Sequence, residues 1–242
     1  MSKSFLVLTY NIGNGWAAPS SLVEMLQGSG AEVVCLQEVS QSQGDVLNKS
    51  LHDTFPNRSI FPGNFSGKAI LSRHPINTTT QIHLSQDRPD LMAVLDILGT
   101  SVTVVSAHPR PPRFHRTGFH FDSSTIGQIS ALAELTRYNA PGILMGDFNL
   151  TKSQAEYQLI AKKGLKDAFR ESGVGFGNTL PRRVGPWRRM HRLNRMMRWI
   201  PLAPVSRVDY IWYTTPIKCS SCWVGRDAGS DHLPVLARLE IP

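Results

Sequence analysis

Residues 91–108, LMAVLDILGTSVTVVSAH, hold two runs of β-forming residues, Leu91–Ile97 and Val102–Ala107, with too few residues between them for a helix. A purely parallel, doubly wound sheet needs a helical crossover between successive strands, so this stretch argues against that architecture. Outward from it the same kind of run recurs. Phe5–Asn11, Val33–Gln37 and Ala69–Ser72 precede it, and Ile143–Gly146, Val208–Tyr213 and Val235–Leu239 follow. Two segments have helical spacing instead. Leu22, Val23, Met25 and Leu26 fit a helix after a Ser20/Ser21 start signal, and Ile126, Ile129, Leu132, Ala133 and Leu135 fit another with Ser123 or Ser124 as N-cap. Many strands with few helices predict an α+β fold of two packed sheets with helices outside. Neither an internal repeat nor a Pro/Gly/Ser-rich linker interrupts the pattern, so one domain over residues 1–242 is expected.

The totals narrow the function classes. An apolar fraction of 41% supplies a buried core, which excludes a disordered chain. Apolar runs such as Val33–Leu36 are far too short to span a bilayer. Residues 1–10 carry no cleavage-site pattern and run straight into the first strand, so no signal peptide is expected. Three cysteines do not make a disulfide scaffold. Cys219 and Cys222 form a C-x-x-C with no second Cys/His pair at zinc spacing, and read as strand cysteines without a redox role. Together these favour a reducing, cytoplasmic setting. The net charge of +8 is concentrated, because residues 181–200 hold seven arginines and no Asp or Glu. That concentration suggests a polyanionic partner for one segment of the protein.

Chemistry is expected where strands deliver polar side chains to a rim of loops. Asn11 ends the first strand, Glu38 follows Val33–Gln37, and His108 follows Val102–Ala107. Asp147 and Asn149 lie in GDFN, Asp209 in RVDYIW, and Asp231 and His232 in GSDHLPV. Taken singly, each has an ordinary explanation, such as a solvated strand-end Glu or an Asx turn. Taken together, the carboxylates and amides are hard oxygen ligands suited to magnesium, manganese or calcium, and the two histidines titrate near neutral pH. Phosphoester hydrolysis needs both kinds of group, one to neutralise phosphoryl charge and one to manage protons.

The ordered series TYNIGNG, LQEV, GKAILSRHPI, SAHP, GDFN, RVDYIW and GSDHLPV resembles the endonuclease/exonuclease/phosphatase superfamily over almost the whole chain. That resemblance implies a four-layer sandwich, with two mixed β-sheets face to face, helices on the outer faces, and a site at one rim. It implies Glu38 as the principal ligand of Mg²⁺ or Mn²⁺, with Asn11 and Asp231 completing or orienting the metal shell. Asp147 would position or deprotonate the attacking water, and Asn149 would hold a phosphate oxygen. His232 would bind phosphate or act as general base, with Asp209 fixing its tautomer. His108 would bind phosphate or protonate the leaving group. SAHP, where abasic-site nucleases carry a tyrosine motif, leans towards the deoxyribonuclease, sphingomyelinase and phosphatase branches. Deoxyribonuclease-type members pair this first histidine with an earlier carboxylate, but no Asp or Glu lies between Asp53 and Asp87 here. Asn64 or Ser66 is the expected substitute.

Two loops supply candidate substrate contacts. Within Trp187–Ile200, Met190, Leu193, Met197 and Ile200 recur on one helical face and Arg188, Arg189, Arg192, Arg195 and Arg198 fall mostly elsewhere, which predicts a short basic amphipathic helix. Pro109–Phe121 reads as an irregular loop that places Arg110, Arg113 and Arg116 beside Phe114, Phe119 and Phe121. A nucleic-acid backbone is the expected partner, giving a Mg²⁺-dependent nuclease of DNA or RNA. An anionic membrane, with a phospholipid headgroup or a small phosphorylated metabolite as substrate, is the alternative.

Overall fold

A computed structural model describes residues 3–85, 87–116, 118–183 and 200–242. The chain opens with strand β1 (Lys3–Asn11), helix α1 (Pro19–Gly28), strand β2 (Val33–Gln37) and helix α2 (Gln41–Ser50). Strands β3 (Asn57–Phe61), β4 (Lys68–Ser72), β5 (Ile76–Ile82), β6 (Asp90–Ile97) and β7 (Thr100–Ala107) follow. A hairpin of β8 (Arg113–His115) and β9 (Gly118–His120) leads into α3 (Ser123–Tyr138), β10 (Gly142–Asp147), α4 (Ala155–Lys162), β11 (Lys166–Asp167) and α5 (Ala168–Ser172). Strands β12 (Asp209–Tyr213), β13 (Lys218–Val224) and β14 (Val235–Ile241) complete the series.

These strands form two six-stranded mixed sheets, in the orders β13-β14-β1-β2-β4-β3 and β11-β12-β10-β7-β6-β5. Each sheet has one parallel pair at its heart, β1 with β2 and β7 with β10, while the other pairings are antiparallel. The period-2 alternation of side chains decides which residues face which layer. Phe5, Val7, Val33, Cys35 and Ile70 of the first sheet meet Leu91, Leu95, Val104, Ile143, Met145 and Ile211 of the second in one buried cluster between the sheets. The alternate residues Leu6, Leu8, Tyr10, Val34 and Leu36 pack outward under Leu22 and Leu26 of α1 and Leu47 of α2. Val105, Leu144, Tyr210 and Trp212 likewise pack outward under Ile129 and Leu132 of α3 and Ile160 of α4. Helices, sheet, sheet and helices therefore stack as four layers around three apolar clusters, each side chain removed from water contributing on the order of 1.5–3 kcal/mol.

Helix starts differ from the sequence reading. Pro19 is the first residue of α1 and Ala18 its uncapped N-cap, so Ser20 and Ser21 lie inside the first turn. Asp122 caps α3, its carboxylate accepting from Thr125 N at 2.7 Å, which places Ser123 and Ser124 within the helix. Helix α2 begins with a capping box between Ser40 and Gln43. Pro109–Phe121 contains a two-stranded hairpin, and of its three phenylalanines only Phe121 is buried. Cys219 and Cys222 lie on β13 as free thiols. The expected basic helix at Trp187–Ile200 lies outside the described residues except for Ile200. Among the described residues, no helix is long and apolar enough to cross a membrane.

Candidate active site

The site gathers where the carboxyl ends of the two parallel pairs meet. Strand β1 delivers Asn11, β2 leads into Glu38, β7 leads into His108, and β10 ends in Asp147. Across the β10–β12 ladder Asp147 sits opposite Asp209, so two carboxylates face each other in one register. Like charges in that position repel, and His232 resolves the conflict by lying between them. Its Nδ1 is 2.9 Å from Asp209 Oδ2, and its Nε2 is 3.7 Å from Asp147 Oδ2.

Asp147 Oδ2 is the centre of the arrangement. It accepts from Asn11 Nδ2 at 3.0 Å and lies 3.4 Å from His108 Nε2. Oδ1 accepts from Asn149 N at 2.8 Å, an Asx turn made by GDFN itself. Burial alone would raise this carboxyl's pKa, but the positive charge of His232 and the contact with His108 outweigh burial and hold it well below the carboxylate range. Asn149 is a left-handed residue (φ 53°), and its amide donates to Pro109 O at 3.0 Å, tying GDFN to the start of the 109–121 segment.

Glu38 also sits in the left-handed region (φ 57°), where the chain turns sharply out of β2 and aims the carboxylate at the same centre. Asn11 Nδ2 donates to its Oε1 at 3.3 Å, while Asn11 Oδ1 accepts from Gly13 N. The amide of Asn11 thus holds Glu38 and Asp147 side by side. Burial and the negative charges of Asp147 and Asp231 raise Glu38 to about 7. Ser230 Oγ donates to Asn11 O at 2.7 Å and lies 3.3 Å from Asp231 Oδ1, which keeps Asp231 beside the end of β1.

The histidines differ in their protons. Burial lowers the pKa of His232, yet the charges of Asp209 and Asp147 overcome it and raise it well above the ordinary value. His108 moves the other way, lowered by burial against the opposing pull of Asp147. Its Nδ1 is buried with no hydrogen-bond partner, so neither Asn64 nor Ser66 holds the imidazole as expected. The neutral tautomer with its proton on Nε2, facing Asp147 and Glu38 (3.7 Å), fits this surrounding. What steadies His108 is its backbone: His108 N donates to Asp90 Oδ1 at 3.1 Å. Asp90 is buried, accepts from Gln128 Nε2 at 2.7 Å, and faces the buried ammonium of Lys68 at 3.9 Å. Sequence reasoning gave Lys68, Asp90 and Gln128 no part here, although an Asp opening the strand before SAHP was a usable signal. It also missed Arg88, whose Nη1 is 3.4 Å from His108 Nε2.

The remaining candidates are dispersed. Arg110 pairs with Asp87 at 2.5 Å, and Arg113 stands on the exposed hairpin. Arg188, Arg189, Arg192 and Arg195 lie outside the described residues. Arg182 and Arg183 both pair with Asp227.

The donor set suits a hard divalent cation. Asp147, Asp209 and His232 offer ligand atoms within 4.8 Å of one another, but Asp209 and His232 are already bound to each other through a proton. Glu38, pressed upward by two neighbouring carboxylates, is better placed to gain from a cation, which would relieve that repulsion.

A four-layer sandwich that presents Asn, Glu, Asp and His at the meeting ends of its sheets fits a class of proteins that includes metal-dependent phosphoesterases. The chain belongs to the Endonuclease/Exonuclease/phosphatase family, whose model matches residues 8–232, and whose members include nucleases and phosphatases. It is 25% identical over 210 residues to the uncharacterized protein YbhP of Escherichia coli K12, covering 74% of this chain and 79% of that one. Its fold is similar to that of a mannosyl-6-phosphatase of Bacteroides thetaiotaomicron (TM-score 0.70, 18% identity, 97% of this chain and 99% of that one). A humanized TDP2 of D. rerio is similar to the same degree (TM-score 0.72, 16% identity, 98% of each chain).

Proposed function

We propose that the protein is a Mg²⁺- or Mn²⁺-dependent phosphoric ester hydrolase that cleaves nucleic-acid phosphodiesters. The observation that carries the hydrolase reading is Asp147 Oδ2, ringed by Asn11 Nδ2, His108 Nε2 and His232 Nε2 at 3.0, 3.4 and 3.7 Å. A cation held by Glu38 with Asn11 and Asp231 would supply Lewis-acid charge for the phosphoryl oxygens. Asp147, kept anionic by its nitrogen neighbours, accepts a hydrogen bond from the attacking water and orients it in line. His232 keeps its proton on the strength of Asp209 and presents it to a phosphoryl oxygen. His108, neutral and backed by Asp90, donates through Nε2 without adding charge.

The polymeric substrate is supported by what surrounds this centre. Arg88 stands beside His108, and residues 109–121 leave the site with three arginines, three phenylalanines and no Asp or Glu. In the sequence, residues 181–200 carry five further arginines beyond Arg182 and Arg183, a charge run suited to a polyanion. A second reading, a phospholipid headgroup or a small phosphorylated metabolite, is favoured by the neutralisation of Arg110, Arg182 and Arg183 in ion pairs.

Labelled DNA and RNA oligonucleotides and supercoiled plasmid, incubated with Mg²⁺, Mn²⁺ or EDTA, test the choice. The expected result is metal-dependent cutting that Asp147→Asn abolishes. Turnover of a phospholipid or sugar phosphate with no cutting of any nucleic acid would replace the first reading by the second.

A further inference from the structure

Resting on the nuclease reading, we propose that the β8–β9 hairpin is a stacking platform for unpaired nucleobases, so that the favoured substrate is single-stranded. Alternation along the two strands puts Phe114 and Phe119 opposite each other on one face. Their rings meet edge to face at 5.3 Å, yet they remain 74% and 64% exposed. They lie outside the apolar clusters that hold the sandwich together, whereas Phe121, two residues on, is buried in one of them. The hairpin is therefore anchored at its base and offers its aromatic face to solvent.

Its position ties that face to the reaction centre. Asn149 grips Pro109 O at one end of the segment, and Phe121 with the Asp122 cap of α3 fixes the other. Arg113 is five residue steps from His108, so the platform starts within about 17 Å of the site even along a fully extended chain. A strand bound at the centre would lay its neighbouring bases across the two rings within a few nucleotides. In a duplex, the base faces are already stacked on each other, and only an unpaired strand can offer them.

Charge supports the same ligand. Arg113 and His120 pair across the opposite face, Arg116 occupies the turn, and residues 109–121 include no Asp or Glu to repel phosphate. A hairpin that inserts into a bilayer would lead with apolar residues, whereas an arginine stands at this tip.

The test measures kcat/KM with Mg²⁺ for an oligonucleotide presented single-stranded and as a duplex. Wild type is compared with Phe114→Ala/Phe119→Ala and Phe114→Trp/Phe119→Trp, each checked for native circular dichroism. We expect wild type to favour the single strand. The alanine pair should lose about tenfold or more on it, chiefly through KM, with little change on duplex, and the tryptophan pair should restore it. Equal use of the single strand by wild type and the alanine pair, with cutting intact, would overturn the platform and leave the nuclease reading standing. So would a loss seen only in co-sedimentation with phosphatidylserine vesicles, which would make the face a membrane contact. If neither form of nucleic acid is cut, both readings fall together.

Discussion

Replacing Asp209 by Asn separates what this residue does for catalysis from what it does for stability. The amide keeps the volume and can still accept from His232 Nδ1, so the geometry at 2.9 Å survives while the charge is lost. At an effective dielectric of about 20, two unit charges at that distance interact by roughly 6 kcal/mol before solvation is counted. A hydrogen bond to a charged partner contributes a net of about 1.5–3 kcal/mol. If the proton on His232 stabilises charge developing on the phosphoryl group, kcat should fall by about 10- to 150-fold, with KM changing far less. Stability should not follow. Asp209 is fully buried, one of its oxygens has no partner, and burial raises its pKa, so neutralising it relieves a buried charge. His232 can shed its proton rather than remain an unpaired cation, which limits the cost. Steady-state kinetics with saturating Mg²⁺ and thermal unfolding of the same preparations check both halves. Asp209→Asn with wild-type kcat would refute the assignment of a charged His232. A large drop in melting temperature alongside lost activity would mean that the pair is structural.

Other expectations follow from the same geometry. Glu38→Gln should weaken Mg²⁺ or Mn²⁺ binding at least tenfold by calorimetry, and unchanged affinity would exclude Glu38 as a ligand. In EDTA the wild-type protein should lose about 3 kcal/mol of stability as pH rises from about 4.5 to 7. The sign follows because a raised carboxyl stabilises the fold only while protonated; denaturant melts in which Glu38→Gln shows the same slope would contradict it. Asp122→Ala should cost α3 about 1 kcal/mol at neutral pH. Since Asp122 is held down to about 2 by Ser124 and the backbone of Thr125, that contribution is present above about pH 4 and lost towards pH 2, which urea melts across pH would show. Gly146→Ala places a Cβ 1.9 Å from Ala107 O at a φ of 151°, so the β7–β10 pairing that seats Asp147 should be disrupted and soluble expression lost; a folded, active variant would show that the ladder can part there.

How much was legible in the sequence follows from where each element sits. Interior strands β1, β2, β4, β6, β7, β10, β12 and β14 are flanked by other strands and covered by apolar layers, so they read as apolar runs. In the two large sheets the strands not read, β3, β5, β11 and β13, are the four edges, where NRSIF and INTTTQI are half wetted and polar; the short, exposed β8 and β9 read as a loop. Helix α2 (QSQGDVLNKS) was invisible because its apolar face is little more than Val46 and Leu47, while its start is fixed by a capping box between Ser40 and Gln43. In the site, residues following strong strands were readable as a set: Asn11, Glu38, His108 and Asp147 each close or follow an apolar run. The Lys68–Asp90–Gln128 support of His108 was not, because three distant polar residues reveal a shared buried network only once β4, β6 and α3 are stacked. Lys68 stood at the start of the apolar run in GKAILSRHPI and Asp90 just before LMAVLDI, without a periodic signal to join them.

If Asp147 and a divalent cation together hydrolyse a phosphoester, turnover of bis-p-nitrophenyl phosphate across a Mg²⁺ and Mn²⁺ titration reads that chemistry without any substrate-specific contact. Hydrolysis should rise saturably with metal, vanish in EDTA, and fall by at least about 100-fold in folded Asp147→Asn, in line with loss of a group acting on the reacting water. Hydrolysis that persists unchanged in Asp147→Asn, or that ignores the metal, would contradict it.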